Sequence, residues 1–350
     1  MEALEGNTGV AGVWQFRIVD GVVEPALTLT GTAEDDNLIG AFRSDTIDGV
    51  EGDDTIVGNY GNDHLHGGDG HDSIDAGWGR DRVLAGTGDD TVQGGIGSDT
   101  VRGQDGNDLI NGGVGDDFLR GEHGSDTIDG GEGRDDIEGG PGDDVLIEAW
   151  TNETSGYRWS YADSDTINGG HGNDTIDGAK GHDWLGGQAG NDVIRGSDGN
   201  DWIGGGAGND VLSGGNGNDY FSGGWGDDFI YGDTGRNAAN GGAGADTFLL
   251  TPDGHMTIYN FNAAEGDRLI VDGDRWERGD FYLRFDDNAQ IVGPDNDRVV
   301  VEATILHREG DGAPFREVAE IRSLHDMDEL RLDLPSAAGV VIAPIVWDLG

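Results

Sequence analysis

Between residues 31 and 249 one apolar position returns every nine residues, with glycine and polar positions filling the other eight. From Gly49 the chain reads GVEGDDTIV, GNYGNDHLH, GGDGHDSID, AGWGRDRVL, AGTGDDTVQ and onward to Ile147. Two degenerate copies precede these, from Gly31 and Gly40. After an interruption at 148–159 the register resumes at Ser160 and holds to Leu249. There are 23 copies, and their eighth position is Ile, Leu, Val or Phe in all but one, where it is Ala239. Positions seven to nine predict a minimal strand of period two, with eight facing inward and seven and nine outward. Nine residues then make one loop and one strand, half of a flattened coil. Eighteen complete a turn, so loops two copies apart stack on one edge of an all-β solenoid.

The polar columns are as regular. Position six is Asp in 22 of 23 copies, failing only at Asn237, and position four is Gly in 20. A low-complexity linker of the same composition would not hold these residues in phase. Glycines at positions one, two and four allow positive φ, so the loop can turn tightly with its carbonyls inward. The Asp at six adds a carboxylate to those carbonyls. Hard oxygen donors in flexible, high-number arrangements suit Ca²⁺, whereas Mg²⁺ demands a stricter octahedron. The candidate ligands are Asp54, Asp63, Asp72, Asp81, Asp90, Asp99, Asp108, Asp117, Asp126, Asp135 and Asp144 before the interruption. After it they are Asp174, Asp183, Asp192, Asp201, Asp210, Asp219, Asp228 and Asp246. Pairing intact loops two copies apart gives about 15 ions.

Composition explains why a cation is needed. Asp and Glu number 70 against 20 Lys and Arg, a formal charge of −50, and only 34% of the chain is hydrophobic. The segment 31–249 holds 45 of the acids, 10 of the bases and 55 of the 68 glycines, which marks boundaries near 30 and 249. Low hydrophobicity with high charge describes a chain that stays unfolded until neutralised, so calcium is expected as a structural component. A polyanion of this kind excludes nucleic acid and anionic membrane surfaces as partners. The absence of Cys excludes disulfides and thiolate chemistry. The acidic N-terminus lacks the basic region of a secretory signal. The apolar run 340–347 contains Pro344 and is too short to span a bilayer.

The pattern G-G-x-G-x-D-x-U-x resembles the RTX nonapeptide, and the resemblance covers about 219 residues. Gly241 to Phe248, then Tyr259-Asn260-Phe261 and Glu265-Gly266-Asp267-Arg268-Leu269, look like the exit from the roll in serralysin-type proteins. The resemblance implies a right-handed parallel β-roll, a secreted location, and export through type I secretion machinery by an uncleaved C-terminal signal. The expected organisation is N-terminal capping strands at 1–30, with 13–19 as their apolar part, and a first repeat block at 31–147. An aromatic insertion loop follows at 148–159, a second block at 160–249, and a β-rich cap and export region at 250–350, with strands near 281–285 and 298–305. Serralysin ends carry an acidic residue followed by hydrophobic ones. Here Asp348 precedes only Leu349 and Gly350, a departure from that pattern.

Catalysis has little support. No H-E-x-x-H and no G-x-S-x-G occurs, so the serralysin zinc centre and the lipase nucleophile elbow are both missing. The abundant carboxylates already have a reading as metal ligands, and no catalytic residue is assigned. The functional expectation is a non-enzymatic calcium-binding protein that folds outside the cell. The alternative is an accessory or binding module of an extracellular enzyme, like the R-modules of alginate epimerases or the tail of a protease or lipase. Trp184, Trp202 and Tyr220 lie eighteen apart and should stack on an outward face. They read as a ladder covered by 148–159 (with Trp150, Tyr157 and Trp159) or by the tail, with a glycan or partner platform as the rival. His64, His66 and His71 read as surface histidines ahead of a transition-metal site. Arg278-Gly279-Asp280 occurs at the frequency chance allows.

Overall fold

The computed structural model describes residues 26–148, 164–251, 253–262 and 265–271, and beyond them four strands of the C-terminal region. It divides into two compact units, 1–175 and 176–350. The described residues are strand, turn and bend, with no helix. In the first unit, one sheet takes Thr28–Thr30, Thr46–Glu51, His64–Asp69, Arg82–Thr87, Thr100–Asp105, Phe118–His123, Asp136–Pro141 and Thr166–His171. The other takes the alternate copies, from Asn37–Ile39 and Thr55–Val57 to Thr127–Glu132 and Val145–Ile147. Every pairing is parallel and steps one coil, as in Ile110↔Ile128 and Gly113↔Gly131. The second unit repeats the scheme, with Trp184–Ala189, Trp202–Ala207 and Tyr220–Trp225 in one sheet and Val193–Gly199, Val211–Asn216 and Phe229–Tyr231 in the other.

Column eight is the core. From Leu38 through Ile110 and Ile137 in the first unit to Leu185, Phe221 and Phe248 in the second, these side chains are at most 3% exposed. Even Ala239 is fully buried, and it pairs with Phe221 on one side and Ile258 on the other. One difference from the sequence reading is the length of the strands. Most run six residues, through positions seven, eight, nine, one, two and three, because the ladder continues past position nine. Gly58 N–H, for example, donates to Asp75 O at 2.8 Å.

The C-terminal part of the second unit keeps the parallel scheme beyond the repeats. Gly254–Asn262 pairs with Arg316–His325, and Arg268–Val271 with Leu332–Asp333. Ala303–Arg308 then pairs antiparallel with both Asp280–Phe285 and Arg316–His325. The expected strand at 298–305 is thus seen from Ala303 onward, while the apolar segments 13–19 and 340–347 lie outside the described residues. So do Trp150, Tyr157 and Trp159 of the interruption, Arg278, Gly279 and Asp348.

Positive φ falls in columns two and four but not in column one, where the sequence reading also expected it. Eight non-glycine residues of column two adopt it, among them Val50 at 87°, Gln104 at 85° and Glu122 at 73°. A β-branched side chain is strained there, by about 1–2 kcal/mol for an L-residue. Val50→Gly is therefore expected to stabilise the loop by about 1 kcal/mol and to lower the calcium concentration needed for folding. A raised calcium midpoint in a circular dichroism titration would show instead that the Val50 side chain contributes packing.

Candidate metal centre

Column six lines the interior edge of each stack of loops. All nineteen sequence-predicted aspartates are buried, none more than 3% exposed. Hydrogen bonds along the stack place them: in most loops the amide of one column-six Asp donates to Oδ1 of the next, eighteen residues on. Asp54 N–H reaches Asp72 Oδ1 at 2.8 Å, Asp90 reaches Asp108 at 2.9 Å, and Asp210 reaches Asp228 at 2.9 Å. The interruption does not break this chain. Asp135 donates to Asp165 Oδ1 at 2.8 Å and Asp144 to Asp174 Oδ1 at 2.9 Å, each across thirty residues.

The second oxygen has a different fate. Oδ2 of Asp54, Asp63, Asp72, Asp81, Asp90, Asp99, Asp108, Asp117, Asp126, Asp135 and Asp144 is buried and accepts no hydrogen bond. The same holds for Asp201, Asp210, Asp219, Asp228 and Asp246. In most of these loops Oδ2 closes on the column-one glycine of its own loop, and in many the column-one carbonyl of the next coil also arrives there. A methyl group on Gly112 would lie 2.6 Å from both Asp117 Oδ2 and Gly130 O. Column one is glycine because these oxygens converge against its Cα, which is a packing reason. Ala76 and Ala85 are the exceptions among the described repeat copies, and their methyls are fully buried in that space.

Burial raises these carboxyls far above their ordinary range. Desolvation, augmented by like charges in neighbouring loops, pushes Asp63, Asp90, Asp126, Asp135, Asp219 and Asp228 up to about 7. Desolvation also lifts Asp81, Asp108, Asp117 and Asp210 to about 6. An uncompensated buried carboxylate takes up a proton or a cation. Orphaned hard oxygens converging with backbone carbonyls fit a divalent cation of calcium's kind.

The chain contains its own control. At Asn237 the side-chain Oδ1 accepts the Asp219 amide at 2.8 Å, as an aspartate would. Its Nδ2 then donates to Gly232 O at 2.7 Å and to Thr234 O at 3.1 Å. The amide hydrogens satisfy column-one and column-three carbonyls, so this loop closes without a cation.

Four residues outside the predicted set join the stack. Asp36, Asp45, Asp165 and Asp267 are all buried. Asp36 Oδ2 accepts Thr32 N–H at 2.6 Å and Thr32 Oγ1–H at 2.9 Å, and Asp45 Oδ2 accepts Ala41 N–H at 2.6 Å. Asp267 Oδ2 accepts Asn262 N–H at 2.6 Å, while its Oδ1 receives the Asp246 amide at 3.0 Å. Asp36, Asp45 and Asp267 thus stand towards the ends of the stack with Oδ2 bonded, and in Asp45 and Asp267 both oxygens are bonded. Asp267 was findable, because Asp267 and Leu269 keep the six-to-eight spacing, although Asp267 lies twenty-one residues after Asp246.

The family model of the RTX calcium-binding nonapeptide repeat, in units of four copies, matches residues 48–83, 84–119, 112–146, 160–185, 186–221 and 222–250. The chain belongs to this RTX repeat family. No curated protein gives a significant match. RTX membership and the parallel solenoid agree with the β-roll inferred from the sequence, and the chain is a calcium-binding repeat protein.

The remaining features stand apart from the RTX loops. Trp184 and Trp202 stack at 4.7 Å and 6°, Tyr220 follows at 4.5 Å, and the two tryptophans are 53% and 43% exposed. The proposed cover at 148–159 lies almost wholly outside the described residues, as does most of the tail. A second exposed stack, Phe42, Tyr60 and Trp78 in column three, escaped the sequence reading. His66 Nδ1 lies 2.9 Å from Asp48 Oδ1, and His71 Nδ1 accepts Asp89 N–H at 2.7 Å. Neither joins His64 in a three-ligand cluster among the described residues.

Two predictions follow from this geometry. Asp108→Ala removes an orphaned carboxylate from mid-stack and should raise the calcium midpoint severalfold. Asp36→Ala removes one whose Oδ2 is already bonded and should change the midpoint less than twofold; equal effects would contradict the distinction. The second concerns pH. A carboxyl raised above its unfolded value of 3.8 stabilises the metal-free fold as the acid. That contribution is complete below about 3.8 and lost as pH rises through 6 to 7. Calcium must displace those protons, so its midpoint should fall between pH 5.5 and 7 and level off above. A midpoint independent of pH in dichroism titrations would refute this coupling.

Proposed function

We propose that this RTX chain is a secreted, non-catalytic calcium-binding protein whose loops load ions and fold together outside the producing cell. The observation that carries the reading is the row of buried, half-bonded aspartates. Ionised, they place like charges in successive loops with few bases to offset them. Protonated, they require a pH at which an extracellular protein seldom works. Calcium resolves the conflict, and its extracellular concentration suits loops with affinities of about 10⁻⁴–10⁻³ M. At cytosolic calcium the same chain would stay extended, the form in which type I secretion machinery can pass it. The nineteen predicted aspartates are the proposed ligands, and intact loop pairs within the blocks supply about 15 ions. The pairs Asp135–Asp165 and Asp144–Asp174 add to that number.

The exposed aromatic stacks favour a second reading, in which the roll is a calcium-dependent binding module of an extracellular enzyme. Contiguous exposed apolar groups usually mark a contact surface. Under that reading calcium still builds the scaffold, and the stacks supply the face that meets a glycan or partner.

The test of the main reading is direct. In EDTA the chain should show a disordered dichroism spectrum, and millimolar calcium should convert it cooperatively to β-structure, with about 17 ions counted by native mass spectrometry. A β spectrum that persists in EDTA at neutral pH would overturn the proposal.

A further inference from the structure

The loop that begins at Gly130 is completed differently from its neighbours. Against Gly112, Gly121 and Gly139 the column-one carbonyl of the next coil closes in, from Gly130, Gly139 and Gly169 respectively. Gly130 differs in what lies nearest to it. Its nearest atoms are Oε1 of Glu148, then Asp135 Oδ2 and Glu148 Cδ, both 2.7 Å from where a methyl would stand. Glu148 lies eighteen residues after Gly130, in column one, at the point where the repeat is interrupted. Its side-chain carboxylate is the group that closes most tightly on Gly130.

Asp165 completes the group from beyond the interruption, with Oδ1 accepting the Asp135 amide at 2.8 Å. Asp135, Glu148 and Asp165 are all buried, and each offers an oxygen within 4.8 Å of the others. Among the described residues this is the one place where three such ligands converge. Asp135 is 2% exposed, and its Oδ2, aimed into the group, accepts no hydrogen bond. The charged groups acting on Asp135 are Asp117, Asp165 and Asp116, with no base among them.

We propose that Asp135, Glu148 and Asp165 form a distinct three-carboxylate site for a divalent cation of calcium's size, which holds its ion more tightly than the repeat loops do. The proposal rests on the calcium reading of the repeats and adds to it. A regular loop pair brings two carboxylates, whereas here Glu148 adds a third. Ligand charge count is one of the main determinants of calcium affinity. The site also has a structural consequence. Its ligands lie on both sides of the interruption, so the ion ties Glu148 to Asp165 and closes the intervening segment, a step that otherwise costs loop entropy.

Two measurements on the full-length chain test this. In native mass spectrometry at stepwise-lowered free calcium, the wild type should retain a species with one ion after the other ions have left. Absence of a one-ion species from a chain that otherwise loads calcium overturns the site. In chelator-driven release from loaded protein, one ion should leave about tenfold more slowly than the rest. Glu148→Gln, and Glu148→Gly, which restores the column-one residue, should abolish the slow phase while the remaining ions and the loaded dichroism spectrum stay unchanged. Glu138→Gln, an exposed carboxylate paired with Arg120, should leave the slow phase intact. A slow phase that survives both Glu148 variants refutes the site and leaves the repeat reading standing. A wild type that takes up no calcium refutes the repeat reading itself.

Discussion

From Asp54 to Asp144 and from Asp201 to Asp246, each column-six aspartate is bound at one oxygen and bare at the other. The bond from the preceding loop's amide to Oδ1 fixes the side chain's rotation, so Oδ2 has no freedom to turn to solvent. Hydrogen bonding of Oδ1 favours the charged form, but burial outweighs it, and the carboxyls rise to about 6 or 7. The same eighteen-residue step sets the strand register, the stacking of column eight and the approach of each loop carbonyl to the glycine beneath it. Satisfying Oδ2 is therefore a condition on the whole coil. A chain with 70 acids and 20 bases cannot meet that condition with its own cations.

The exceptions show how a loop closes when no ion is required. At one end, Thr32 and Ala41 supply backbone N–H donors to Asp36 and Asp45, and beyond the last repeat Asn262 does the same for Asp267. Asn237 carries its donors on its own side chain. All four keep the stacking geometry and differ only in how the second polar atom is satisfied. Metal demand is thus separable from the fold's shape, and it follows the donors around column six.

Much of this was legible in the chain because a short repeat writes its three-dimensional neighbours at a fixed offset. Column eight gave the core down to Ala239, and column six gave the carboxylates that the structure buries. What escaped depends on partners no offset encodes. Asp36 and Asp45 have the repeat's residue type yet find backbone donors that an orphaned Asp lacks. Asp165 and Asp174 meet Asp135 and Asp144 across the interruption at an offset of thirty, which only the coil's closure reveals. Glu148 looks like an ordinary surface acid at the edge of a block, and only the fold shows it buried against Gly130 beside Asp135 and Asp165.

The glycine columns carry a further argument about what the array tolerates. Column two requires positive φ and still admits Val50, Asn59, Gln104 and Glu122, because its side chain leaves the loop and the strain is local. Column one needs no unusual φ, yet within the described repeat copies only Ala76 and Ala85 replace glycine there, and Glu148 stands there just past the first block. A larger group would be driven into two oxygens that belong to different coils. The backbone's conformational demand is therefore the weaker constraint, and oxygen convergence the stronger. Since each convergence joins adjacent coils, the loss of one site removes support from the loops on both sides. On the calcium reading that coupling should make loading cooperative, with the effect of a substitution set by its position along the stack as well as by its residue type.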